Sequence, residues 1–135
     1  MQKREYQIDG SLFSDLQGFY DHVSERLIPG AEWGRNLNAF NDILRGGFGT
    51  PDEGFVLVWI NSAESQKRLG YDETQKQLER QLARCDPANR DDMVMDLERV
   101  RQHKGSTVFD WLVEIIEVHC EGGDEEDDGV ELRLA

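Results

Sequence analysis

The sequence predicts an α/β fold, a three-stranded parallel sheet packed with helices. Three observations predict it. Short runs with strand character fall at residues 5–8, 55–60 and 130–134 of the 135-residue chain. Stretches with the 3.6-residue apolar spacing of helices lie between them. Strands separated by helices pair in parallel through right-handed crossovers. The run Phe55–Ile60 is the most apolar, so it is the expected central strand, covered on both faces.

In order, Glu5 to Ile8 places Tyr6 and Ile8 on one face, and Asp9-Gly10 ends that strand as a turn signal. Ser11 or Ser14 is the expected cap of a helix reaching about Leu27. Leu12, Leu16, Tyr20, Val23 and Leu27 form its buried stripe, and Pro29-Gly30 stops it. A short helix over 37–45 follows. Leu37, Phe40 and Leu44 recur at i, i+3, i+7 and face inward, whereas Asn38, Asn41, Asp42 and Arg45 share the outward face. Gly46-Gly47 ends this helix, because glycine readily takes the left-handed conformation of a helix stop.

After the central strand, Asn61 or Ser62 caps a short helix to about Leu69. Residues 71–104 carry two narrower stripes, Leu78-Leu82-Cys85 and Met93-Leu97-Val100, separated by Asp86-Pro87. They read as a helical hairpin. Thr107 to His119 is a further long helix whose start matches a capping box with Asp110. Val108, Trp111, Leu112, Ile115 and Ile116 are its core stripe. The acidic stretch 121–129, EGGDEEDDG, is expected to be a solvated loop. Val130, Leu132 and Leu134 alternate with Glu131 and Arg133 as a closing strand.

The formal net charge is −13, from 28 acidic and 15 basic residues. That balance speaks against direct nucleic-acid binding, which requires neutralising phosphates, and against an anionic membrane surface; it favours a basic partner. No run reaches the roughly 18 apolar residues that span a bilayer. The start, MQKREYQIDG, has no apolar leader, so a cytoplasmic location is expected, with Cys85 and Cys120 reduced.

No motif for a phosphate loop, a dinucleotide fold, a zinc protease or a nucleophile elbow is present. The chain is read as a non-enzyme, with no catalytic residue, no cofactor and no metal. His22, His103 and His119 are scattered, and solvated or capping roles are expected for them. The run Asp124–Asp128 lacks the spaced ligands of a calcium loop. Asp110, Glu114 and Glu117 line up at i, i+4, i+7; a solvated ridge is a commoner cause of that spacing than a metal site.

The short helix stands out. Asparagine is a mediocre helix former because its side chain competes for backbone hydrogen bonds. Yet Asn36, Asn38 and Asn41 all lie in or beside this one helix. A face of amides around a single carboxylate suits a polar, positively charged cleft.

The segment Trp33-Gly34-Arg35-Asn36-Leu37-Asn38-Ala39-Phe40-Asn41-Asp42-Ile43-Leu44 resembles the aromatic-Gly-x-Asn-Leu-Asp-Ala-Leu-x-Asp-x-Leu signature of the barstar family of ribonuclease inhibitors. Ile8-Asp9-Gly10, the strand Phe55–Ile60 and the final helix and strand are also similar. The resemblance covers roughly residues 5–70 and 106–135, which makes 71–104 an inserted helical hairpin in a single barstar-like domain, 1–135. It implies a protein that plugs the active-site cleft of a basic secreted ribonuclease, barnase-like or other, with helix 37–45. Asp42 takes the place of an RNA phosphate, and Glu114 matches a second family carboxylate. The implied partner-binding set is Trp33, Gly34, Asn36, Leu37, Asn38, Asn41, Asp42, Arg45, Gly46 and Glu114. Asn38 stands where the family often has a second aspartate. The other reading on the same fold is a binding module for a basic, non-nuclease protein.

Overall fold

The sheet of the computed structural model has three parallel strands, β1 (Glu5–Asp9), β2 (Val56–Ile60) and β3 (Glu131–Leu134), in the order β1-β2-β3. Residues 3–46 and 48–135 are described. Among the described residues six α-helices connect the strands: α1 (Leu16–Leu27) and α2 (Leu37–Leu44), then α3 (Ser62–Arg68), α4 (Tyr71–Leu82), α5 (Arg90–Arg101) and α6 (Val108–Val118). β2 is central, as its apolar run predicts. Phe55, Leu57 and Trp59 on one face are fully buried, whereas on the other Val56 is buried and Val58 and Ile60 only partly so.

The core is aromatic. Trp59 stacks on Phe19 with centroids 5.6 Å apart and meets Phe109 at 5.1 Å, while Phe19 meets the edge of Phe40 at 5.2 Å. The one polar atom of Trp59 is satisfied: its indole N–H donates to Ser65 Oγ at 2.9 Å. Each large side chain removed from water in this way contributes about 1.5–3 kcal/mol. Trp59, Phe19 and Phe40 therefore fix where α1 and α2 sit on the sheet.

The start of α1 departs from expectation. Asp15, not Ser11 or Ser14, is the cap, accepting from Gly18 N at 2.7 Å. Leu12 precedes the helix and is 60% exposed, so it does not join the buried stripe. Phe13 and Phe19 supply the apolar contacts in its place. Ser11 is engaged elsewhere: Asp9 Oδ1 accepts from its backbone N–H and its hydroxyl, and from Asn61 Nδ2. Those donors, Asn61 first, hold the Asp9 carboxyl down at about 2. Asn61 occupies the N-cap position of α3 with left-handed backbone (φ 53°), but its side chain serves Asp9 rather than the helix.

The hairpin forms as predicted, with α4 and α5 packed around Leu78, Leu97 and Val100. Half-buried Trp111 touches both this small cluster and the main core. Polar bonds complete the join. Buried Glu73 accepts from Leu16 N at 2.6 Å, and Thr74 Oγ1 accepts from Val108 N at 2.8 Å. The first turn of a helix has amides with no partner inside the helix. One turn of α4 thus satisfies such amides on both α1 and α6. The capping box of α6 is present as expected: Thr107 Oγ1 and the Asp110 carboxylate each serve the other's backbone N–H. Asp110 is consequently turned back on its own helix, and the outward ridge is reduced to Glu114 and Glu117.

Candidate functional site

α2 is short, and its position is fixed from below. Phe40, Ile43 and Leu44 are buried, and Leu37 is half-buried. Asn36 caps the helix, its Oδ1 accepting from Ala39 N at 2.8 Å. At the other end buried Thr50 donates to Ile43 O at 2.6 Å. Gly46 follows with φ 93°, the left-handed stop the sequence predicts. Its neighbour Gly47, the other half of that expected stop, lies outside the described residues.

The asparagines divide into three different roles. Asn36 is a cap. Asn41 does not face solvent with Asn38 and Asp42: its Oδ1 lies 2.5 Å from Nε2 of His119. His119 is fully buried, and its Nδ1 lies 2.6 Å from Asp128 Oδ2. Asn38 is exposed, as Asn36 is, and of the three it alone makes no side-chain hydrogen bond among the described residues. The excess of asparagine therefore has structural causes at two of three positions. His119, for which a solvated or capping role is expected, is instead the buried centre of a polar chain from α2 through the end of α6 to the acidic segment, with half-buried Asn41 and Asp128 at its ends. His22 is likewise buried, with Nε2 accepting from Asp9 N at 2.9 Å; burial lowers its pKa, with Arg26 adding to the effect.

The acidic segment is more than a solvated loop. A 3-10 turn spans Glu126–Asp128, and Glu125 receives two bonds from Arg45, Nε and Nη2, each at 2.9 Å. Gly54 and Gly129 let this segment press against the chain entering β2. A Cβ at Gly54 would meet Gly129 O at 2.2 Å. The charges of 121–129 are thus drawn down onto α2 and α6 at Glu125 and Asp128, while Glu121, Asp124, Glu126 and Asp127 remain exposed.

Asp42 is exposed, with just over half of its side chain accessible, and accepts from Arg45 Nη1 at 3.0 Å. Arg45 bridges Asp42 and Glu125, and those contacts, Glu125 foremost, raise its pKa. Trp33 is half-buried, edge-on to Tyr20, and its indole N–H donates to Ser24 Oγ, so it pins the loop before α2 to α1. Gly34 is exposed, and Arg35 has left-handed backbone (φ 48°) with an ion pair to Asp21. Glu114 is exposed on α6, and α6 packs against α2. The structure therefore gathers Asn38, Asp42 and Arg45 on one solvent-facing surface and uses Trp33, Asn36 and Asn41 to hold it.

His119, Glu125 and Asp128 are a group whose ligand atoms lie within 4.8 Å of one another. His119 Nδ1 is hydrogen-bonded to Asp128 and Glu125 is forked onto Arg45, so a cation would have to displace both. No local signal in the sequence marks this group, since its partners Asn41 and Arg45 are about 80 residues away along the chain.

The fold is a small parallel sheet with an amphipathic helix, α2, offered on its surface. The chain belongs to the barstar family: the model of that family, described as Barstar (barnase inhibitor), matches residues 4–93. Members of that family are inhibitors, not enzymes. The matched span takes in β1, α2 and β2, runs through α4 and ends in α5; α6 and β3 lie beyond it. No curated protein matches the chain.

Proposed function

We propose that this protein inhibits a small basic ribonuclease by seating α2 in its active-site cleft, with the Asp42 carboxylate in the place of an RNA phosphate. The observation that carries this reading is the exposed carboxylate of Asp42 on a helix fixed at its cap, at its stop and through the Asn41–His119–Asp128 chain, whose centre is buried. A group held rigidly before binding loses little freedom on binding, and that preorganisation raises affinity. Cationic side chains of a nuclease cleft would form charge-assisted hydrogen bonds to it, the strong kind.

Arg45 acts as an internal stand-in for the partner's cations. It holds the Asp42 carboxylate in place, and a nuclease arginine or lysine would compete for the same oxygen. Two half-exposed partners in water form a weak pair, worth about 0–1 kcal/mol. Exchanging it for contacts in a desolvated cleft is favourable. The net charge of −13 steers a cationic protein toward the face; barnase and barstar are themselves the reference case for such steering. Glu114, exposed on α6, is placed in this reading as a second carboxylate at the edge of the interface.

The test is inhibition of a panel of small guanyl-specific ribonucleases by the purified protein, repeated across a salt titration. Stoichiometric inhibition that weakens with salt is the expected result. No inhibition of any panel member, together with capture of a basic protein that is not a nuclease, would replace this reading with a binding module of the same fold.

A further inference from the structure

Beside the head of α2 lies an open groove of about 690 Å³, bounded by α1, the loop before α2 and α4. Its charge runs against the rest of the molecule. Arg35, Arg80 and Arg84 line it and no aspartate or glutamate does, in a chain with 28 acidic residues. Gln81 from α4 and Asn38 from α2 add amide donors, Gln77 already donates to Glu73 Oε2 at 3.2 Å, and Leu16, Tyr20 and Leu37 give it an apolar floor. Gln77, Arg80 and Gln81 stand at i, i+3, i+4 on one face of α4, and Arg84 follows in the turn just past its end, so that face and the turn after it form this wall. Neither Arg80 nor Arg84 pairs with a carboxylate among the described residues, although carboxylates are the commonest groups on this surface. Arg80 lies in the last turn of α4 and Arg84 two residues past its end, near the C-terminus of the helix, where its dipole favours cations, so the fold tolerates the pair at little cost.

We infer that this groove is a second contact subsite which takes an acidic segment of the protein partner seated on α2. The inference rests on the proposed seating of a partner at α2, because Asn38 belongs both to that helix and to the groove. Two free guanidinium forks and a row of amides match carboxylates bidentately. The field of a −13 protein repels any free polyanion at long range, a free acidic peptide and RNA alike, so either alone binds weakly; a carboxylate run carried in by a net basic partner avoids that repulsion. The binding face is then two-signed, with a carboxylate at the Asp42 end and arginines at the other, which fixes the partner's orientation.

The experiment is an NMR titration of the full chain with hexaglutamate peptide, needing no nuclease, so its failure and the failure of the inhibitor reading are separate results. Amide shifts confined to residues 35–38 and 77–84, sensitive to salt, are expected. The Arg80→Ala/Arg84→Ala double variant should weaken the apparent affinity by about 10-fold or more through loss of charge-assisted bonds, with an unchanged melting temperature. Asp42→Ala should leave the titration unaltered. The inference is overturned if the peptide leaves those amides unmoved, if the double variant binds it equally well, or if inorganic phosphate or hexauridylate takes the groove more tightly than the peptide.

Discussion

The two ends of α2 are built on opposite plans. At its tail, each polar side chain has a partner. Asn41 meets His119, His119 meets Asp128, and Asp42 and Glu125 share Arg45. At its head, Asn36 is spent on the cap, and the neighbouring arginines of α4 face an open groove without partners. A closed network fixes geometry, most firmly at its centre, where His119 is fully buried and losing either ring partner leaves a ring nitrogen unsatisfied. An open, donor-rich surface leaves hydrogen-bonding capacity to a ligand. The difference teaches that charge alone does not mark a binding group: what matters is whether the fold has already satisfied it.

Four substitutions sharpen or break that contrast, in falling order of effect. His119→Leu removes the centre of the tail network and strands Asn41 and Asp128. It should cost about 2–3 kcal/mol of stability by urea denaturation. A loss under about 0.5 kcal/mol would mean that the buried chain is not what anchors α2. Asn36→Ala deletes the cap at the head and should cost about 1 kcal/mol, read from the thermal midpoint. Arg45→Ala breaks only exposed pairs, so its stability cost should stay below about 1 kcal/mol. A larger value would show that the acidic segment depends on this one side chain.

The fourth sets the two buried histidines apart. The folded pKa of His22 lies below its ordinary value, so the unfolded chain takes up a proton there first. Stability attributable to His22 is therefore complete above about pH 6.5 and declines as pH falls from there toward the lower folded value. His22→Gln keeps an acceptor for Asp9 N and does not titrate. Its stability should fall less than that of the wild type between pH 7 and 5.5, and parallel curves would contradict the assignment.

Much of this fold was legible in the sequence, because periodicity is local. The alternation at Tyr6 and Ile8 and the continuous run at Phe55–Ile60 gave strands in the right places and the right central strand. The stripes of the hairpin gave two helices that do pack together. Where competing short-range chemistry was present, local reading erred: with Ser11, Ser14 and Asp15 in five residues, it could not foresee that Asp9 would claim Ser11 and leave Asp15 to cap α1. At the candidate site the exposure of Asn38 and Asp42 followed from helical spacing. The inward turn of Asn41 did not, since it depends on a histidine 78 residues further on. An acidic run reads as solvated because its charges repel, and nothing in nine residues reveals that Arg45 and His119 wait for two of them.

The account turns on the Asp42 carboxylate. The direct measurement is the dissociation constant of wild type and Asp42→Ala against a ribonuclease that the protein inhibits. A central hot-spot carboxylate predicts a loss of about 2 kcal/mol or more, roughly 30-fold in affinity, within a range whose extreme example is itself a barstar aspartate. Equal dissociation constants for the two proteins, with the variant fully folded, would contradict it.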